Sequence, residues 1–388
     1  MVKGPRVYLD WNATAPLLDE ARAAVLAGLD MMNPSSVHAE GRAARAALEK
    51  ARRQVAALAG TPEPAHVVFT SGATEAANMV LSPDFRMGRR PIAVGHLYVS
   101  AIEHPAVREG GRFPAERITE IPATREGLTD PVVLKALLEA HDDASGLPMI
   151  AVMAVNNETG VIQPIAEIAA LVHARGGLLM VDAVQAAGRV PLDIAAPGAD
   201  FMIVSSHKIG GPKGVGALIS RGEILMPAPL IRGGGQEKGH RSGTENLAAI
   251  MGFGTAAEAA CAGLDERMAR IGALRDRLEQ GMRAAAPDVI IHGASAPRVA
   301  NTSFFSLPGL KSETGQIAFD LEGVALSAGS ACSSGKVGES HVLAAMGCDP
   351  KLGALRISLG ATTNEADIDR ALAAFGKIAS RRKGTEAA

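Results

Sequence analysis

Residues 201–216 read FMIVSSHKIGGPKGVG. Four apolar residues, Phe201–Val204, lead into Ser205-Ser206-His207-Lys208 and then a glycine-rich loop with one proline. An apolar run this short, bounded by turn residues, fits a strand buried on both faces of a helix-covered parallel sheet. Similar runs occur at His66–Thr70, Leu97–Ala101, Pro148–Val155, Leu178–Val181 and Gly216–Ile219. Between them, Ala-rich stretches predict helices over Asp19–Asp30, Gly41–Leu58, Asp130–Ala140, Ile165–Arg175 and Asn246–Leu278, the last long enough for two or for one long connector. Strands alternating with helices predict an α/β fold with a mostly parallel sheet. The composition shifts near residue 260. Downstream, Val289–Ile291, Arg298–Ser306, Gly323–Gly338 and Ala354–Leu359 predict a smaller α+β unit. That unit closes with a helix over Glu365–Lys377 and a charged tail, SRRKGTEAA, expected to fray. The predicted division is a large domain over 16–258 and a small domain built from 1–15 and 259–388.

The 388 residues carry 39 Lys+Arg and 41 Asp+Glu, a formal net charge of −2. That balance argues against nucleic-acid binding through bulk positive charge. Aromatic residues at 3% argue against base-stacking platforms. The three cysteines, 261, 332 and 348, form no CxxC, which excludes a disulfide framework and a Cys-rich zinc site. Few scattered thiols fit a reducing compartment. The N-terminus, MVKGPRVYLDWNAT, lacks the apolar stretch of a signal peptide, and no run is long enough to span a bilayer. The expectation is a cytoplasmic protein without membrane partners.

Three strand ends carry the chemistry. Residues 69–78, FTSGATEAAN, place Ser-Gly-Ala-Thr between a strand and a helix. Free backbone N–H groups at a helix start, with the Ser71 and Thr74 hydroxyls, suit a phosphate; the alternative is an ordinary side-chain cap. In GGLLMVDAVQAAG, 176–188, Asp182 directly follows an apolar strand. A carboxylate at that depth needs a cation or proton donor, such as a protonated pyridine nitrogen, unless it only caps a helix. Lys208 follows the strand 201–204, at the sheet edge where α/β folds gather ligands. Desolvation there would make its amine a Schiff-base candidate, whereas a loop lysine such as Lys213 is ordinarily solvated. An anion cradle, a buried carboxylate and an amine together are what pyridoxal 5′-phosphate requires.

The ordered set SGATEAAN, SAIEHPAV, VNNETGVIQP, VDAVQAAG, SSHKIGGPKG, RSGTEN and SAGSACSSG resembles the NifS/IscS-type cysteine desulfurases. These are fold-type I pyridoxal-phosphate enzymes with a class V aminotransferase-like fold. The likeness runs from YLDWNAT at Tyr8 to RISLG at Arg356, and GGGQEKGHRSGTEN looks more like the NifS branch. It implies a homodimer that converts L-cysteine to L-alanine. It also implies an iron–sulfur scaffold or sulfur-carrier protein as acceptor.

The resemblance further implies the roles of individual residues. Lys208 forms the imine with the cofactor and then acts as base at Cα. Asp182 pairs with the pyridine nitrogen, and Gln185 reaches the ring's phenolic oxygen. Ala73, Thr74, Ser205 and His207 bind the phosphate, and Thr244 reaches it from the other subunit. His104 lies on the ring face and serves acid–base steps. Asn157, rather than Asn156, contacts the cofactor and substrate region. Arg356 holds the substrate carboxylate, with Asn33 assisting. Cys332, among small residues and glycines, takes the sulfur as a persulfide. No resident metal is implied, with Cys332 a candidate transient iron–sulfur ligand. Other enzyme readings are a selenocysteine lyase or a class V aminotransferase, the latter with no use for Cys332. A reading of another class is an inactive cofactor-binding scaffold.

Overall fold

The computed structural model describes residues 6–329 and 339–386, apart from the side chains of 350 and 383–386. After β1 (Val7–Tyr8), the chain forms β2 (Val67–Thr70), β3 (Asp84–Met87), β4 (Arg90–Ser100), β5 (Ile118–Ile121) and β6 (Leu147–Met153). It continues through β7 (Leu178–Asp182), β8 (Phe201–Ser205), β9 (Gly216–Ser220) and β10 (Leu225–Pro227). Strands β2–β10 make one nine-stranded sheet in the order β10-β3-β4-β6-β7-β8-β9-β2, with β5 also on β4. The centre, β4-β6-β7-β8, is parallel, and so is β5. β9 runs antiparallel to both β8 and β2, so β2 points the same way as the central strands. Their carboxyl ends therefore share one edge, where ligands of such sheets bind.

β7 and β8 are buried at every residue. Successive side chains alternate faces, so both faces need cover. On one face Ile150, Val152 and Val181 pack with Leu48, Val55, Ile168 and Phe253 from flanking helices. On the other, Met149, Met180 and Ile203 pack with Met79 and Val80 of the helix Ala73–Val80.

The small unit adds β11 (Ile290–Ile291), β12 (Thr302–Ser306), β13 (Val324–Ala325), β14 (Ser327–Ala328) and β15 (Leu355–Ser358). Its antiparallel sheet has the order β11-β12-β15-β14, and β1 pairs in parallel with β13. Val7 and Leu9 bury themselves in this unit's core with Leu278, Phe305, Phe319 and Phe375.

The stretch read as two helices or one long connector takes the first form, and other elements differ from the sequence expectation. The stretch Asn246–Leu278 is two helices, Leu247–Cys261 and Leu264–Ala285, bent by 74° at a break where Gly263 takes φ +57°. The terminal helix does not stop at Lys377 but runs to Glu386, so the tail expected to fray is largely helical. Ile368, Ala371, Phe375 and Ile378 bury one face of it. Arg382 pins its end, donating to the Pro308 carbonyl at 2.7 Å and pairing with Asp288 at 2.8 Å. β3, β5 and β10 were not anticipated; β3 is charged and three of its four residues are exposed, leaving no apolar run to read. Of the segment expected over Gly323–Gly338, β13 and β14 occupy the start, and residues 330–338 lie outside the described residues. Among the described residues no single helix is long and apolar enough to cross a membrane.

Candidate active site

A cavity of about 480 Å³ opens at the carboxyl edge of the sheet. β6, β7 and β8 end in it with Met153, Asp182 and Ser205, while the turns after β2 and β4 supply Thr74 and His104. Eight residues expected from the sequence to contact the cofactor line this one cavity: Ala73, Thr74, His104, Asn157, Asp182, Gln185, Ser205 and His207; Lys208 joins them. Lys208 Nζ donates to the main-chain oxygens of Asn12 at 2.7 Å and Ala13 at 3.0 Å.

The 71–74 turn is open to an anion. The helix Ala73–Val80 starts after Gly72 with no side-chain cap, so neither Ser71 nor Thr74 plays the capping role. The donors of its first turn face the cavity edge, and the helix dipole adds positive potential there. Gly216 of β9 backs this turn; a Cβ on it would fall 2.7 Å from the Gly72 main chain.

Asp182 Oδ1 accepts the Val184 N–H at 2.9 Å. Burial pushes its carboxyl up to about 6, although that N–H and the Lys208 charge pull the other way. A protonated ring nitrogen would relieve this desolvated carboxylate. Behind it lies Glu103, fully buried, with Oε1 accepting the Met153 N–H at 2.6 Å and Oε2 without a partner among the described residues. Burial and the Asp182 charge hold Glu103 well above the usual carboxylate range.

His104 precedes the short helix Pro105–Arg108, and its Nδ1 accepts the Ala106 N–H at 3.1 Å. That bond places the neutral ring's proton on Nε2. Burial, with Lys208 and His341 nearby, pulls the ring down to about 4, so it is neutral at pH 7. His207 is also drawn to about 4 by burial and by Lys208 and Lys213, and its Nδ1 lies 3.2 Å from Thr14 Oγ1.

Asn156 and Asn157 divide their work. Asn156 is fully buried, its Nδ2 donating to the Ile102 carbonyl and its Oδ1 accepting Glu158 and Thr159 N–H groups. Asn157 lines the cavity, and its carbonyl accepts Arg356 Nη1 at 2.8 Å. Gln185 Nε2 donates to the Asn12 carbonyl at 3.0 Å, and its buried Oε1 has no partner among the described residues.

Not every expected residue joins the cavity. Arg356 is 2% exposed and pairs through Nη2 with Asp10 at 2.9 Å. Its buried Nε lacks a partner among the described residues, a donor left over for a carboxylate. Asn33 lies outside its own chain's cavity: it is exposed, and its Oδ1 accepts the Ser35 N–H in a local turn. Thr244 is exposed and also lies outside this cavity. Cys332 falls outside the described residues. Among the described residues no three His, Cys, Asp or Glu side chains group as a metal site.

Sequence reasoning missed Asn12, Ala13 and Thr14, which hold Lys208 and His207. These contacts span more than 190 positions of chain, and no local pattern reports such a pairing. It also missed Glu103, whose neighbour His104 drew attention instead.

Glu158 links the large unit to the helix His341–Ala345: its Oε2 accepts from Ser340 Oγ, that helix's cap, at 2.5 Å. Burial pushes this carboxyl up to about 7, against the hydrogen bond and the Arg356 charge. The folded group stays protonated where the unfolded one is ionised, so folding takes up a proton between about pH 4.5 and 7. Its contribution is complete below that window and is lost as pH rises through it. Glu158→Gln should flatten the fall in stability over this range, by at most about 1.4 kcal/mol per pH unit. Urea unfolding at pH 5 and 8 reads this; parallel pH slopes for variant and wild type would refute it.

A class-V aminotransferase family model matches residues 7–371. A protein named IscS-like cysteine desulfurase from Mycobacterium tuberculosis is 39% identical, covering 98% of each chain. A cysteine desulfurase of Cereibacter sphaeroides is 40% identical over 95% of this chain and 94% of that one. The structure of a NifS-like protein from Rickettsia africae superposes with a TM-score of 0.85 at 33% identity, covering 96% of this chain and 99% of that one. The chain belongs to the class-V aminotransferase family, with the fold of fold-type I pyridoxal-phosphate enzymes. Within that family it groups with the NifS/IscS-type cysteine desulfurases. Both IscS-like and NifS-like names occur among its relatives, so the leaning toward the NifS branch is not separated.

Enzymes of this family use pyridoxal 5′-phosphate, and the cavity fits that group. The uncapped turn suits the phosphate, the desolvated Asp182 suits the ring nitrogen, and Lys208 lies at the cavity wall.

Proposed function

We propose that this chain is a pyridoxal-phosphate-dependent cysteine desulfurase that converts L-cysteine to L-alanine. The sulfur is held on Cys332 and passed to an iron–sulfur scaffold or carrier protein. The enzyme works as a cytoplasmic homodimer. The observation that carries the reading is the meeting of Lys208, Asp182, His104 and the 71–74 turn in one cavity. The desulfurase names of relatives matching nearly the whole chain support the substrate. Support for the dimer comes from Thr244, exposed and away from its own cavity, and from Glu245 beside it. Both oxygens of Glu245 are buried without a donor among the described residues, an arrangement that a second chain's donors would relieve.

Ser205, His207 and the 72–74 main chain would bind the phosphate, with Thr244 of a second copy completing the cradle. Asp182 would hold the proton on the ring nitrogen, and Gln185 would stand at the phenolic oxygen. When bound, pyridoxal 5′-phosphate supplies an electron sink for charge developing at the substrate's Cα. Arg356, with Nε spare, orients the substrate carboxylate. Lys208, kept in place by the Asn12 and Ala13 carbonyls, moves the Cα proton. His104 presents Nε2–H as a neutral donor from the cavity wall. The Cys332 thiolate forms an S–S bond as the substrate's Cβ–S bond breaks. The electron pair of that broken bond returns to the carbon skeleton, which leaves as L-alanine after protonation.

Product balance tests the reading. With L-cysteine and dithiothreitol, alanine and sulfide should appear in equal amounts. Transfer of the amino group to a keto acid without sulfide would make the protein an aminotransferase. A kcat/KM strongly favouring selenocysteine would make it a selenocysteine lyase. No turnover with cofactor bound would leave the scaffold reading.

A further inference from the structure

The segment 233–246, which carries Thr244, is joined to the phosphate turn of its own chain by two charged relays. In one, Arg52 donates from Nη1 and Nη2 to the two oxygens of Glu237, each at 2.7 Å, and Glu237 Oε2 accepts the Phe69 N–H at 2.9 Å. In the other, Arg241 donates from Nε to Glu75 Oε1 at 2.9 Å and from Nη2 to Oε2 at 3.4 Å. Glu75 Oε2 in turn accepts the Ser71 N–H at 2.8 Å. The first relay ends on the buried Phe69 N–H of β2 and the second on the Ser71 N–H at the entry of the turn.

The first relay is buried, with the Glu237 side chain 2% exposed. It holds Glu237 and Lys238 at φ +49° and +57°, left-handed values that residues with a Cβ adopt only when their surroundings impose them. The loop is thus held in one register. The second relay is the adjustable contact. The Glu75 and Arg241 side chains are 10% and 23% exposed, and Arg241 lies three residues from Thr244. By taking the Ser71 N–H, Glu75 sets the entry of the turn and leaves the N–H groups of 72–74 free. A carboxylate this close to an anion site would repel the anion, but Arg241 neutralises it in place.

We propose that Glu75 is a positioning residue for the cofactor's phosphate, holding the 71–74 turn in register with the Thr244 loop through Arg241. This rests on the pyridoxal-phosphate reading above. Glu75 touches neither ring nor substrate in that reading, so its effect should depend on the phosphate alone.

The test titrates the cofactor-free full chain with pyridoxal 5′-phosphate and, separately, with pyridoxal, which lacks the phosphate; binding is followed by visible absorbance. Glu75→Gln keeps an oxygen for the Ser71 N–H but loses the charge that Arg241 meets. It should weaken pyridoxal 5′-phosphate binding about tenfold and leave pyridoxal within about twofold of wild type. Arg241→Met, which leaves the turn's own residues intact, should do the same, and the double variant should lose little more than either. Equal losses for both ligands would mean a general structural defect and overturn the proposal. So would variants that bind both ligands as wild type does. Wild-type protein that binds neither ligand would instead overturn the cofactor reading itself, and the proposal with it.

Discussion

Lys208→Ala is expected to lower desulfuration by about 10³-fold or more and to remove the cofactor label that borohydride fixes to the chain. The size follows from two roles resting on one amine, covalent attachment and proton movement at Cα. The Asn12 and Ala13 carbonyls hold that amine in place, and a small amine added in solution meets no such restraint. Methylamine should therefore restore only part of the rate. The informative failure is a label that persists. Lys213 lines the same cavity from an exposed position in the following loop. Peptide mapping that found the label there would move the attachment site five positions along the chain and break the assignment of Lys208.

Cys332→Ser should be as severe for sulfide release while leaving cofactor attachment intact. A free thiol carries a few per cent thiolate at neutral pH, whereas a serine hydroxyl carries essentially none and cannot form a persulfide. The expected result is a coloured, cofactor-loaded protein that binds L-cysteine, seen as a change in its visible spectrum, yet releases sulfide to dithiothreitol at least about 10³-fold more slowly. Unchanged release would refute the nucleophile. The other two cysteines are poor substitutes. Cys261 ends the helix Leu247–Cys261, Cys348 lies 4.0 Å from His292 Nδ1, and neither lines the cavity. Burial pushes both thiols up, against the nearby charges of Arg267 and Arg125 respectively, so each holds less thiolate than a free cysteine.

Asp182 and Lys208 were legible because each follows a short apolar run. A strand buried on both faces must be apolar throughout, and the first polar residue after it marks the sheet's edge. Asp182 after LLMV and Lys208 after FMIVSSH were located in this way, and the ordered motifs supplied their roles. The hairpin of β3 and the start of β4 escaped because FRMGRRP is charged and its strands are largely exposed. Arg356 was legible as a residue but not as a geometry: its pairing with Asp10 joins positions at opposite ends of the chain.

Local sequence thus sufficed for the class of fold and for placing a candidate cradle, carboxylate and amine at strand ends, and the ordered motifs supplied their roles. The placements depend on hydrophobic period and on the residue at a strand's end, both of which are properties of a few consecutive positions. Folding alone decided that Asn12 and Ala13 hold Lys208, that Glu103 lies buried beside Asp182, and that Arg241 locks onto Glu75. It also put Thr244 outside its own cavity. These are pairings between segments distant in sequence, and no stretch of a few residues contains the information that specifies them.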